Sequence, residues 1–318
     1  MNRQIKFCVR VHQGGYSYQA LRRIWQDADR LGYHSASLYD LINIPTLECW
    51  TTLSALVAET QRLRVIPMVL ANLYRPPALL ANMAATLDVI SSGRVELGIG
   101  AGGGRGDHLA AGYPFPSTAV RVNMLEESVE IIKRLWTESR VDFEGRYYTL
   151  KGASCEPKPV QQPYPPVLIG GHGEKYLLRA AARHADICNI GSEMSLEKHQ
   201  AKLKVLEEHC RRADRDVSEI EVSHNTRVLI AESELELEQM ISHGASETGT
   251  NVSNYRASLS NAVAGTPDQC IEHIQSYVDA GISYFFLIFP NSAPTNALEL
   301  FAREVMSHFA IPAQNPTV

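Results

Sequence analysis

Short apolar runs alternate with amphipathic stretches along most of the chain. Residues 5–11, IKFCVRV, have the length and β-branched content of a strand. Residues 17–32, SYQALRRIWQDADRLG, then place Leu21, Ile24, Trp25, Ala28 and Leu31 on one helical face. Ser17 supplies the N-cap of that helix and Gly32 its stop. The same alternation continues with strand HSASLY, helix 47–60, strand LRVIPMVL, helix 78–90, strand RVELGIG and helix 118–136. In the last of these Leu125, Val129, Ile132 and Leu135 share a face. A hairpin about Glu144–Gly145 and a Pro-rich loop interrupt the order. It resumes with PVLIGG, helix 174–183, ADICNIG, helix 196–213 and EIEVSHNTRVLIA. After a long polar insertion at 232–265 come helix 267–280, strand SYFFLIF and helix 295–309.

Strands that alternate strictly with helices need crossovers, and crossovers make a parallel sheet. Eight such units in 318 residues fit an α/β fold of the (β/α)8 TIM-barrel type, with insertions after strands 4 and 7. An open doubly wound sheet is the rival. No linker divides the chain, so 1–318 reads as a single barrel domain.

Composition narrows the classes of function. The chain is 45% hydrophobic and 20% charged, with a formal net charge of −5 and both signs interspersed. It lacks the basic stripe of a nucleic-acid binder and any apolar run near the roughly 18 residues of a membrane span. MNRQIKFCVRV runs directly into a strand, which implies no signal peptide and a cytoplasmic location. Cysteines at 8, 49, 155, 188, 210 and 270 form no C-x-x-C pair and fit no zinc spacing, so no metal is expected. No G-x-S-x-G elbow and no H-E-x-x-H pair occurs either.

In a (β/α)8 barrel the chemistry sits at the C-terminal ends of the strands. That selects His12 and Gln13, Tyr39 and Asp40, Ala71 and Asn72, the glycine run after strand 4, Gly170 to Gly173, and Asn189 to Glu193, with His224 and Asn225 as weaker candidates. Asp40 is either an acid at the mouth or a helix cap, and Pro45–Thr46 offers the better helix start. In LGIGAGGGRGDH, Gly98, Gly100 and Gly103 match G-x-G-x-x-G, but the next helix opens only near Thr118, so a dinucleotide turn does not fit. Backbone passing close to a flat ligand and a mobile loop both remain open there. At LIGGHGEKY a strand ends on glycines and a helix follows at once, which suits a phosphate or an ordinary β/α turn. Pro67 inside strand 3 suggests either a bulge or other irregularity or a proline at a tolerated position without consequence.

The stretches MAATLDVISSGRVELGIGAG, FEGRYYTLKGASCEPKPVQQPYPPVLIGG, LLRAAARHADICN and AGTPDQCIEHIQSYVDAGISYFFL together resemble the bacterial luciferase-like monooxygenase superfamily. Within it they are most similar to the deazaflavin branch, the coenzyme F420-dependent oxidoreductases that include methylenetetrahydromethanopterin reductase. The resemblance implies a (β/α)8 barrel, usually a homodimer, acting on a small-molecule substrate with coenzyme F420. The alternative is an FMN-dependent monooxygenase served by a separate flavin reductase. It places Gly100, Ala101, Gly102 and Gly103 along the ring system, with Asn72 beside it. Gly170, Gly171, His172 and Gly173 match the phosphate site, and Met68–Val69 matches a non-prolyl cis peptide behind the ring. Asp107 stands where many members carry glutamate. Members typically end strand 2 on Asp–His, whereas this chain has Asp40–Leu41. Leucine exchanges no proton, so Asp40, Tyr39 or His12 would supply it.

Overall fold

A computed structural model describes residues 3–290 and 294–310. The strands are β1 (Lys6–Val11), β2 (Ser35–Leu38), β3 (Arg64–Pro67), β4 (Leu70–Ala71), β5 (Leu97–Gly100), β6 (Val141–Glu144), β7 (Thr149–Ala153), β8 (Val167–Gly170), β9 (Ile187–Ser192), β10 (Glu221–Ile230), β11 (Val263–Gly265) and β12 (Tyr284–Ile288). The main helices are α1 (Tyr18–Leu31), α2 (Cys49–Ala58), α3 (Pro77–Ile90), α4 (Arg105–Ala110), α5 (Thr118–Thr137), α6 (Leu177–His184), α7 (Leu196–Arg212), α8 (Glu234–Glu247), α9 (Val252–Ser258), α10 (Pro267–Asp279) and α11 (Pro294–Leu300). Among the described residues no helix is long and apolar enough to cross a membrane.

The large sheet runs β3-β2-β1-β12-β10-β9-β8-β5-β4 with every neighbouring pair parallel. Its two ends, β3 and β4, are consecutive pieces of one segment, parted only by Met68 and Val69, whose peptide bond is cis. The sheet therefore curls into a nearly closed barrel of nine strands in which the third position is broken. On the β2 side the ladder continues through Met68 N to Leu38 O, but on the β5 side, where Val65 N donates to Arg94 O, Pro67 has no N–H to continue the pairing.

Side chains alternate across each strand, so each strand feeds two cores. Cys8, Ile66, Met68, Leu168, Ile187, Tyr284 and Phe286 pack inside the barrel. Phe7, Val9, Phe285 and Leu287 pack outward against the helices. The helix faces legible in the sequence meet them: Leu21, Ile24, Trp25 and Ala28 of α1 and Leu125, Val129, Ile132 and Leu135 of α5 are buried. The N-cap at Ser17 accepts a bond from Ala20 N, and Gly32 closes α1 with φ of 84°.

Between β5 and β8 lie α4, α5 and the antiparallel β6–β7 hairpin. The polar stretch 232–265 folds as α8 and α9 followed by β11, which extends β10 in parallel. Ser233 and Asn251 cap the two helices, and Leu237 and Ile241 pack with Leu229 and Leu259 into a small core. The helix after β8 starts at Leu177 rather than at 174, because residues 171–176 form a glycine-led turn first.

The floor of the barrel is polar. Glu96 is fully enclosed; its carboxylate accepts from Arg64 Nε at 2.7 Å and Tyr284 Oη at 3.0 Å, and lies 3.1 Å from His34 Nε2. Burial alone would raise its pKa, but the bond to His34 and the charges of His34, Arg64 and Lys6 outweigh it and hold the acid at about 2, against an ordinary 4.5. A depressed carboxylate stabilises the fold above its unfolded pKa, and that contribution fades as pH falls from about 4.5 towards about 2. Glu96→Gln leaves the Arg64 cation short of its partner and should cost about 3 kcal/mol at pH 7. Urea unfolding should show that gap shrinking between pH 5 and pH 3. An equal gap at both pH values would contradict the assignment.

Candidate functional site

A cavity of about 610 Å³ opens at the C-terminal end of the barrel strands, within the size range of small-molecule sites. A wider hollow of about 1320 Å³ lies at the opposite end, bounded by Ile5, Ile220 and Ile282, which precede β1, β10 and β12. Barrel chemistry belongs to the first end, where loops of independent sequence converge on one point.

Ten of the residues singled out from the sequence line the mouth cavity: Tyr39, Met68, Val69, Gly170, Gly171, His172, Asn189, Gly191, Ser192 and Asn225. Val69 is the wedge between the strands. A Cβ on Gly100 would stand 2.9 Å from Val69 Cγ2, and one on Gly170 would stand 2.9 Å from Val69 Cγ1. Beneath it, a Cβ on Gly98 would lie 1.9 Å from the carbonyl oxygen of Pro67. Gly98 and Gly100 are therefore demanded by the broken third strand. At Gly103 nothing lies within 4 Å, so no close packing explains it.

The other expected residues stand around the cavity rather than on its wall. The Ala101–Gly104 stretch leads to α4, where Asp107 sits in the first turn. Gly102, at φ of 81°, packs on the ring of His108, which is buried with Tyr74, Tyr113 and Phe115 in an aromatic group. Asn72 is buried and donates to Tyr148 Oη at 3.4 Å, tying the third strand to the hairpin. His12 is exposed, and its ring centre is 5.2 Å from that of Tyr39. Gln13 is fully buried and grips the backbone of Tyr39: Nε2 donates to Tyr39 O at 2.6 Å and Oε1 accepts from Tyr39 N at 3.1 Å.

Asp40 is a clasp. Its side chain is 1% exposed, and its two oxygens accept from Arg75 Nη1 at 2.9 Å, Arg75 Nη2 at 3.0 Å and Ala71 N at 2.9 Å. The same guanidinium reaches Glu48 at 2.8 Å, and Glu48 in turn caps α2. This network fixes β2 to β4 beside the break. Neither end of the clasp lines the cavity.

Beyond Gly170 the chain turns through 171–176 before α6 begins. Gly171 N donates to Asn189 O. Among the described residues the N–H groups of His172, Gly173, Glu174 and Lys175 donate to no protein acceptor. Such a row of free donors ahead of a helix suits an anion. Asn189 and Asn225, deep in the cavity, hold each other through bonds of 3.0 and 2.9 Å. His224 lies between Ser223 and Asn225 on β10 and faces the helical layer instead, stacked on Tyr277 at 4.7 Å. Burial pushes its pKa down to about 3.

The residue that the sequence reading missed is Arg10. It lines the cavity, its guanidinium lies 4.1 Å above the ring of Tyr39, and Nη2 donates to Met68 O at 3.4 Å. Burial lowers its pKa. Burial also raises that of the Tyr39 phenol, with Glu193 adding to the rise and Arg10 opposing it. The signal was available: Lys6, Cys8 and Arg10 share the inward face of an otherwise apolar strand.

The sequence pattern of the luciferase-like monooxygenase family matches residues 4–284. An F420-dependent glucose-6-phosphate dehydrogenase of Rhodococcus erythropolis is 31% identical over 281 residues, covering 80% of this chain and 81% of that protein. The coenzyme F420 dependent tetrahydromethanopterin reductase of Methanopyrus kandleri has the same fold, with TM-score 0.80, 19% identity and coverage of 97% and 100%. A monooxygenase of Streptomyces bottropensis superposes with TM-score 0.81 at 22% identity, covering 96% of this chain and 100% of that one.

The glycine geometry separates two substitutions. Gly98→Ala must displace the Pro67 carbonyl and should lower stability by about 2 kcal/mol. Gly103→Ala should stay within about 0.5 kcal/mol of the parent. Chemical denaturation of both variants checks this, and equal losses would show that the strand break does not set the requirement.

Proposed function

The chain belongs to the luciferase-like monooxygenase family, and on that premise we propose that it is a coenzyme F420-dependent oxidoreductase acting on a small organic substrate. The observation that carries this reading is the 31% identity to an F420-dependent dehydrogenase over 80% of the chain. The residues present fit the coenzyme. Met68 and Val69 offer an apolar wall for a flat ring, and the turn with free N–H groups at 172–175 leaves the cavity wall at His172, where it suits the coenzyme's phosphate. When bound, the deazaflavin supplies or accepts a hydride at its ring carbon.

The protein's own contribution is orientation and a proton. Leu41 exchanges no proton, and the oxygens of Asp40 are engaged by Arg75 and Ala71. We assign the proton to the Tyr39 phenol, which stands in the cavity wall and is kept protonated by burial. Asp40 then acts as a positioning residue, holding β2 and β4 in register, with His12 as the outer route for proton exchange. Asn72, Gly100, Ala101, Gly102, Gly103, Gly173 and Asp107 form the surround of the ring and its side chain. We take the working molecule to be a homodimer of one-domain chains in the cytoplasm.

Fluorescence titration tests the coenzyme. The protein should bind F420 tightly and FMN weakly; tight binding of FMN alone would overturn the reading in favour of an oxygen-using monooxygenase. Tyr39→Phe should keep its F420 affinity and lose roughly a hundredfold in turnover, followed by F420 absorbance against a panel of alcohols and sugar phosphates. Unchanged turnover would remove Tyr39 from proton transfer.

A further inference from the structure

We propose that Arg10 anchors a carboxylate on the substrate, so that the substrates of this protein are small organic acids. The proposal rests on the coenzyme reading for where the ring lies, and on Arg10 itself for the rest.

Two other arginines near the mouth are neutralised. Arg75 is paired with Asp40 and Glu48, and Arg227 with Glu193. Arg10 has no acidic partner among the described residues. The charges that act on it belong to Tyr39 and Cys8, both neutral near pH 7. Its Nε is buried with no hydrogen-bond partner, and its one bond to protein is the 3.4 Å contact from Nη2 to Met68 O. A half-buried cation left unpaired is costly, and a ligand that completes it removes that cost.

The geometry narrows the ligand further. The guanidinium lies 4.1 Å over the ring of Tyr39, and both side chains line the cavity. A planar fork of N–H groups matches a carboxylate in two parallel bonds. One unpaired cation balances one negative charge, whereas a phosphate dianion calls for a cluster. Asn189 and Asn225 are saturated by each other and by Ser223 and the Gly191 carbonyl, so they do not compete for the anion. The contact to Met68 O ties Arg10 to the strand break on which the ring is placed. A carboxylate held there brings the adjoining carbon of the substrate towards the ring.

Calorimetric titration with benzoate and its uncharged counterpart benzamide tests the inference, on the parent protein, Arg10→Met and Arg10→Lys, each with and without saturating oxidised F420. The parent should bind benzoate at least about tenfold more tightly than benzamide, with F420 present as well as absent. Arg10→Met should lose roughly ten- to hundredfold in benzoate affinity and none for benzamide. It should also melt at or above the parent temperature, because an unpaired half-buried charge has gone. Arg10→Lys, which keeps the charge without the fork, should fall between. Equal binding of benzoate and benzamide to the parent, or benzoate affinity retained in Arg10→Met, would overturn the proposal. Displacement of benzoate by F420 would overturn it too, by assigning Arg10 to the coenzyme. Failure of the parent to bind F420 would sink the coenzyme reading alone, since the benzoate arm without coenzyme still reports on Arg10.

Discussion

The carbonyl oxygen of Pro67 lies 1.9 Å from the point where a side chain on residue 98 would begin. That close approach of two backbones governs the rest of the barrel's open end. It is possible only because residue 98 is glycine, and it lies where Pro67 has no N–H to continue the pairing of Val65 with the strand beside it. The broken strand then swings Met68 and Val69 into the mouth, where Val69 lodges against Gly100 and Gly170. Three glycines on two strands thus serve one bulge, and the bulge supplies the apolar wall of the cavity.

The two ends of the barrel treat charge in opposite ways. On the floor, Glu96 meets Arg64, His34 and Tyr284, and Lys6 meets Glu221 at 2.8 Å. Each of these charged groups has a partner, which is how buried ions become tolerable. At the mouth the Asp40–Arg75–Glu48 and Glu193–Arg227 groups are also matched and act as bracing. Among the described residues that line the cavity, Arg10 is the one arginine, and it has no acidic partner. Complete satisfaction below and incomplete satisfaction above is the pattern of a rigid scaffold carrying a ligand site.

Much of the scaffold was legible in the sequence. The strand–helix alternation gave the barrel, because burying one face of each helix on a parallel sheet leaves a 3.6-residue rhythm at Leu21, Ile24, Trp25 and Ala28 and again at Leu125, Val129 and Ile132. The glycine runs drew attention to the strand ends, and for Gly98 and Gly100 the crowding atom belongs to the protein. What escaped was long-range. Asp40 looks like a free acid until Arg75, 35 positions later, is seen closing on it. The helices of 232–265 escaped because their apolar residues are few and pack mainly on each other and on the end of β10. Arg10 escaped because a lone cation in an apolar strand reads as a surface residue until the inward register of Lys6 and Cys8 is followed.

The central claim is that the opening shaped by the third-strand break holds a deazaflavin ring with its phosphate at the glycine turn. Crystallography of the protein with bound F420 tests it most directly. The account predicts the ring against Val69, within reach of Tyr39 and Arg10, and the phosphate on the backbone of 172–175. A ring located in the hollow at the opposite end of the barrel, or a phosphate away from that turn, would contradict it.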